Sequence, residues 1–194
     1  RSGKPMIQII VENLNFSAEH VFLCQKEHSE KYSLKELLEL VSPNCKIIKV
    51  NGITEGAACT ALLAKEFINN EEELIIANSD QWVDWNNQHF LSYLRKNEAI
   101  GGIVTFIATH PKWSFVKINE KNEVLEVAEK RPISNIATVG IYYFKKGKYF
   151  VESAEKMIEK NIRTNNEFYI APVYNEMIQK GEKVFHYPIA EMRG

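Results

Sequence analysis

The succession of two rhythms along the chain constrains its fold more than any other feature. Up to residue 78, short apolar runs alternate with segments of helical spacing; from residue 99 the helical signal fades and strand candidates follow one another. HVFLC (20–24), CKIIKV (45–50) and ELIIAN (73–78) read as strands. PMIQIIVENL (5–14) reads as a short amphipathic helix behind Pro5, and SLKELLELV (33–41) as a helix with Ser33 and Glu36 at capping-box spacing. EGAACTALLAKEFI (55–68) completes the series as a third helix. Alternation of this kind builds βαβ units around a parallel sheet with right-handed crossovers.

The second part offers IGGIVTFIA (100–108), SFVKINE (114–120), VLEVAEK (124–130) and ATVGIYYF (137–144), with hairpin chemistry at NEKNE. Helices are expected over 148–162 and 167–181, the second carrying Gly181 as C-cap and Pro172 as a helix start or a kink. KVFHYPI (183–189) closes as a strand. Neither linker nor repeat separates the halves, so they are expected to share one sheet in a single α/β domain, 1–194.

A net charge of -1, with no basic run carrying interleaved aromatics, argues against nucleic acid as a partner. Cys24, Cys45 and Cys59 are odd in number and far apart, which fits neither a disulfide framework nor a zinc site. They read as reduced thiols of a cytoplasmic protein. With no apolar run approaching the ~20 residues of a membrane span and no signal-peptide pattern, a membrane location is not expected.

LIIANSDQWVDWN (74–86) raises the first functional question, because an apolar strand runs straight into a carboxylate. Strand ends of open α/β sheets collect ligands. Asp80 therefore has two readings: with Asn78 it caps a turn or the helix over 87–96, or it holds a divalent metal. NGITEGAACT places Gly52 and Gly56 between a strand and a helix, where small residues let a ligand approach the backbone. VAEKRP sets Glu129, Lys130 and Arg131 at a strand end, a pair of cations suited to a phosphate or else a solvated charge run. TNNEFYIAP puts Thr164, Asn165 and Asn166 ahead of a helix with Glu167 in its first turn, explicable by capping or as a reader of sugar hydroxyls. Trp82, Trp85 and Trp113 either wall a ring or pack in the core. His110 and His186 read as structural, Cys59 has only a nearby helix start in favour of reactivity, and no serine–histidine–acid triad can be nominated.

Taken in order, GKPMIQIIVENL, TEGAACTALLAKEFI, IIANSDQ, VAEKRP, ATVGIYYF and NNEFYIAPVYNEMI resemble the sugar-phosphate nucleotidyltransferases, the NDP-sugar pyrophosphorylase family that includes glucose-1-phosphate thymidylyltransferases. The similarity is greatest to bacterial members linked to capsule and lipopolysaccharide precursors. It implies a Rossmann-like three-layer α/β fold with a mixed, mainly parallel sheet. It also implies Mg²⁺-dependent transfer of a nucleotidyl group from a nucleoside triphosphate to a sugar 1-phosphate or related phosphate, with release of pyrophosphate. Carried over, Asp80 binds Mg²⁺, and Asp80 and Lys130 are catalytic, Lys130 contacting the sugar phosphate. Thr54, Glu55, Gly56 and Ser79 face the nucleotide, with Glu55 and Gly56 in the base-recognising loop. Gly140, Asn166, Glu167 and Trp113 face the sugar. A homo-oligomer is compatible with the resemblance.

The family also opens with a strand, a glycine-rich loop ending in arginine, and a lysine–proline pair. Here RSGKPMIQ matches the segment after that signature, with Lys4 as the lysine of the later GKP and Arg1 as either a remnant of the arginine or an extraneous residue. The resemblance thus implies a domain incomplete at both ends, lacking a strand from the middle of its nucleotide-binding sheet. Two rival readings follow: a non-catalytic module binding a sugar phosphate or nucleotide sugar, and a glycosyltransferase of similar α/β core. The latter usually shows paired aspartates, whereas Asp80 and Asp84 stand four apart.

Overall fold

Residues 3–190 and 192–193 are described in the computed structural model; the Arg1 reading lies outside the described residues. The first half runs α1 (Met6–Leu14), β1 (Val21–Gln25), α2 (Lys26–Lys31), α3 (Leu34–Val41) and β2 (Lys46–Val50). It continues through α4 (Ala57–Leu62), α5 (Lys65–Ile68), β3 (Leu74–Ala77), β4 (Trp82–Val83) and α6 (Asn87–Lys96). The second half holds β5 (Gly101–Ile107), β6 (Ser114–Ile118), β7 (Val124–Glu129), β8 (Ile136–Phe144), α7 (Gly147–Glu159), α8 (Val173–Gln179), β9 (Val184–Pro188) and β10 (Met192–Arg193).

β8 organises the large sheet. It pairs antiparallel with β3, β5 and β6, while β5 pairs parallel with β9 and β6 antiparallel with β7. Consequently β3, β5, β6 and β9 point one way and β7 and β8 the other, a mixed sheet with most strands co-directional. Side chains of β8 alternate between two cores: Val139, Ile141 and Tyr143 meet α6, whereas Tyr142 and Phe144 join α4, α7 and α8. Helices thus cover both faces, which is why the strand reads as an unbroken apolar run. Gly101 lets the Tyr174 ring lie against the sheet, where its hydroxyl donates to the carbonyls of Gly102 (3.0 Å) and Tyr143 (2.8 Å).

The expectation that both halves share one sheet holds for β3 but not for β1 and β2. These two form a separate parallel pair. Between β1 and β3 runs a groove of ≈ 610 Å³, floored and walled by apolar side chains such as Phe22, Ile75 and Ile10 of α1, and reaching Ser79 and Asp80. No described strand bridges it, so the facing edges of β1 and β3 have no ladder partner there.

Three local expectations change. Ser33 adopts a left-handed conformation (φ 48°) and its hydroxyl makes no capping bond, so no capping box forms and α2 occupies the preceding stretch. The helix over 55–68 is broken after Leu62 into α4 and α5. The helix expected from 167 begins only after Pro172, which lacks the N–H of an interior helical residue and serves as N-cap. Glu167 is therefore not in a helical first turn.

Of the two histidines read as structural, His110 is exposed, its Nδ1 accepting from the Lys112 N–H at 3.1 Å, and His186 is buried. His186 is 7% exposed on β9, with Nδ1 3.0 Å from the Thr105 hydroxyl and Nε2 3.4 Å from Asn122 Oδ1. Burial lowers its pKa below the ordinary 6.5. The folded state then binds fewer protons than the unfolded chain at mildly acid pH, so this contribution is intact above about 6.5 and is lost as pH falls towards the folded pKa. Between about pH 7 and about pH 5.5 the wild type is expected to lose up to about 1 kcal/mol more stability than His186→Gln. Urea denaturation of both proteins at the two pH values measures this; equal losses would refute it.

Candidate functional site

The end of β3 lies between two cavities. Ser79 and Asp80 border the groove beside β1, while Asn78 borders both the groove and a second cavity of ≈ 280 Å³ on the far side. Asp80 is exposed and does not cap a helix: α6 is capped by Asn86, whose side chain accepts from the His89 N–H at 2.9 Å. The Asn78 N–H donates to the Gly140 carbonyl (2.9 Å), and its side-chain amide reaches Gln81 Oε1 at 3.4 Å. Gly140 has φ 81°, and a Cβ there would stand 2.3 Å from Asn78 Nδ2 and 2.7 Å from Gln81 Oε1. The strand glycine therefore lets two amides lie directly over β8 at the cavity wall.

Lys130, Glu129, Trp113 and Tyr169 line the second cavity. Lys130 turns out of β7 in a left-handed conformation (φ 52°), its N–H donating to the Trp113 carbonyl at 3.0 Å. Its ammonium donates to the Tyr169 hydroxyl at 2.6 Å and lies 4.7 Å from that ring's centroid. The hydrogen bond to Tyr169 raises the lysine's pKa, so it remains a cation. Burial, with the Glu167 carboxylate two residues away, raises the Tyr169 pKa, so a neutral phenol faces the Lys130 cation. Arg131 instead pairs with Glu126 at 2.9 Å; the two adjacent cations of VAEKRP part company.

Glu129 is buried on the cavity floor, where the Ser114 hydroxyl donates to it and burial pushes its carboxyl pKa up. Nearby, Tyr142 and Thr138 share a hydrogen bond of 3.1 Å, and burial takes the Tyr142 phenol up to about 12. A neutral phenol and a carboxyl beside exposed cations supply donors and acceptors together, which suits a hydroxylated, phosphorylated ligand. Trp113 stands edge-on to Phe106, with Lys112 over its ring at 4.4 Å. By contrast Trp85 packs on Phe16 and Phe90, and Trp82 lines neither cavity.

Thr54, Glu55, Gly56, Asn166 and Glu167 lie outside both linings, although Ala57 borders the second cavity. Gly56 permits a close approach, but to protein: its Cβ would fall 2.5 Å from the Phe168 carbonyl oxygen. The Phe168 N–H donates to the Glu55 carbonyl (2.8 Å), and Ala58 N–H to the Phe168 carbonyl (2.9 Å). Thr54 Oγ1 stands 2.6 Å from Thr60 Oγ1.

Among the described residues no three carboxylates, histidines or cysteines converge on a metal position. Asp80 alone fits a Mg²⁺ ion only where substrate phosphates and water complete the shell, the usual habit of that ion. Cys24, Cys45 and Cys59 are free, and among the described residues no helix is long and apolar enough to cross a membrane.

Sequence reasoning missed Tyr169, Gln81 and Arg163, which ties the Asn166 carbonyl to Glu55. Glu167 and Tyr169 lie two apart in a non-helical stretch, where alternate residues share a face; reading 167–181 as helix separated them.

Comparison with known proteins agrees with this arrangement. The family model described as nucleotidyl transferase matches residues 1–189. A curated relative, the bifunctional protein GlmU of Methanocaldococcus jannaschii, is 25% identical over 166 residues, 84% of this chain. The chain spans only 38% of that relative's length. A nucleoside-diphosphate-sugar pyrophosphorylase from Vibrio cholerae RC9 superposes with TM-score 0.82 at 22% identity, over 98% of this chain and 83% of that one. A UDP-glucose pyrophosphorylase complexed with UDP-glucose gives 0.71 at 18% identity, over 98% and 81%. These likenesses establish the fold, and the match over nearly the full length establishes more: the chain belongs to the nucleotidyl transferase family, with its sugar-phosphate nucleotidyltransferase members as structural neighbours.

Proposed function

We propose that the protein transfers a nucleotidyl group from a nucleoside triphosphate to a sugar 1-phosphate or related phosphate, yielding an NDP-sugar and pyrophosphate for surface polysaccharide. One observation carries the reading: a single strand end separates two cavities, with Asp80 on one side, Lys130 on the other and Asn78 lining both. The nucleotide lies along the groove with its phosphates at Ser79 and Asp80, and the sugar phosphate occupies the second cavity.

An oxygen of the sugar phosphate attacks the α-phosphorus while the bond from that phosphorus to pyrophosphate breaks. Such a step needs in-line placement and charge neutralisation more than a strong base. Lys130 fixes the attacking phosphate, Glu129 and the Asn78 and Gln81 amides orient sugar hydroxyls, and Asp80 would hold Mg²⁺. When bound, that ion supplies charge neutralisation at the triphosphate.

Pyrophosphate release, assayed across the common nucleoside triphosphates with a panel of sugar 1-phosphates and Mg²⁺, tests the proposal. Turnover with at least one pair is expected, falling about 100-fold in Asp80→Asn, the scale of losing one group that stabilises developing charge. Calorimetric binding of both ligands without turnover would leave a binding module instead; absence of both binding and turnover would sink the reading.

A further inference from the structure

The wall of the second cavity that carries Lys130 is a hairpin joined to the large sheet at few points. β6 and β7 pair with each other from Ser114↔Glu129 to Ile118↔Val124, whereas among the described residues β6 meets β8 at one residue pair, Phe115↔Ala137. Trp113, Ser114, Glu129 and Lys130, at the open end of this hairpin, line the cavity. At the closed end a bridge between Glu123 and Phe185 ties the hairpin to β9. Val116, Val124 and Val127 are buried beneath it, but apolar contact is non-directional and does not fix where the open end stands.

Asn175 supplies a directional contact. β7 ends the sheet, and Val127 turns its N–H and carbonyl outward, away from β6. The Asn175 side chain meets both groups: Oδ1 accepts from the Val127 N–H at 2.9 Å, and Nδ2 donates to the Val127 carbonyl at 2.8 Å. One planar amide thus takes the place of a neighbouring strand. Asn175 stands in α8, four positions after Ala171, which with Tyr169 and Ile170 lines the opposing side of the cavity. Val127 stands two positions before Glu129. The amide therefore joins the two walls without lining the cavity itself.

We infer that Asn175 is a positioning residue for the ligand of the second cavity, clamping β7 to α8 so that Glu129 and Lys130 face Tyr169 at a fixed separation. That this ligand is a sugar phosphate rests on the proposed function; the clamp itself does not. Asparagine suits the task because it offers a donor and an acceptor in one plane, the pattern a backbone edge requires. Leucine fills a similar volume with neither. Aspartate sets a carboxylate oxygen against the Val127 carbonyl where the donor stood.

Asn175→Leu and Asn175→Asp test the inference by calorimetric titration of a sugar 1-phosphate and of a nucleoside triphosphate, with thermal melts to check folding. Each variant is expected to weaken the sugar 1-phosphate about 10-fold, about 1.4 kcal/mol, and to leave nucleotide affinity within about twofold of wild type. Should the leucine variant not fold, the aspartate variant carries the test. Leu94→Ala, which opens a hole under α6 on the opposite face of the sheet, is the stability control: it lowers the melting temperature and moves neither affinity. A second measurement needs no ligand. Hydrogen exchange at residues 128–130 should quicken in both Asn175 variants, while exchange over β3 stays as in wild type. Folded Asn175 variants that keep their sugar-phosphate affinity, or a Leu94→Ala protein that loses as much, overturn the positioning role, and unchanged exchange at 128–130 overturns the clamp. Wild-type protein that binds no sugar 1-phosphate overturns the proposed function instead, and the exchange measurement then decides the clamp by itself.

Discussion

Lys130→Met is expected to weaken sugar 1-phosphate binding about 10-fold to 50-fold while leaving nucleotide affinity close to wild type. A charge-assisted hydrogen bond to phosphate contributes about 1.5–3 kcal/mol, and the exposed setting of Lys130 places it toward the lower end. Methionine keeps much of the stem and removes the cation, so the change reports charge rather than a hole. The ammonium is already aimed by the Tyr169 hydroxyl at 2.6 Å and by the Trp113 carbonyl that receives the backbone N–H of Lys130. Tyr169→Phe should accordingly reproduce a fraction of the loss. Calorimetric titration of each ligand into both variants gives the answer; unchanged sugar-phosphate affinity in Lys130→Met would remove Lys130 from the site.

Gly56→Ala should be the most damaging single substitution near the site. With φ 124° and ψ 174°, Gly56 occupies a region that residues bearing a Cβ essentially never adopt. The added carbon would meet Phe168 O, N and C at 2.5, 2.6 and 2.9 Å, and that backbone is fixed by its bonds to Glu55 and Ala58. Strain and overlap together are expected to remove about 3 kcal/mol or more, lowering the melting temperature by about 6–12 °C for a chain of this size. Gly52→Ala is the control: φ is 68° but a Cβ there meets nothing within 4 Å, so only the left-handed penalty of about 1 kcal/mol applies. Thermal unfolding followed by circular dichroism distinguishes the two. Equal shifts would mean the Phe168 backbone yields more easily than its hydrogen bonds suggest.

What the sequence conveyed was mainly periodicity. Eight of the ten described strands were readable within a residue or two, because β8 and its neighbours are largely buried and β6–β7 turn on asparagines; the two-residue β4 and β10, which pair with each other, are too short to show a period. Helix boundaries were harder wherever a local signal competed with tertiary structure. Ser33 and Glu36 have capping-box spacing, yet Ser33 is held left-handed between two helices. The glycine at 56 announced a close approach without disclosing its partner, which comes from a residue 112 positions away. Of the nominated site residues, Asp80, Ser79, Lys130, Gly140 and Trp113 line the two cavities. Asn166 and Glu55 are instead joined through Arg163, a link that no spacing in the sequence displays.

The division between β1–β2 and the large sheet bears on how the molecule opens. β1 and β2 close a parallel ladder across the crossover that holds α2 and α3, whereas β5 reaches β9 across most of the second half. Their ladder ends at the groove, so loosening β1–β2 breaks no rung of the large sheet. Hydrogen exchange in such an arrangement divides into cooperative units, a small one that opens first and a large one that opens only with global unfolding. The groove that reaches Ser79 and Asp80 lies along the boundary between these units, and the cavity that holds Lys130 lies within the larger one.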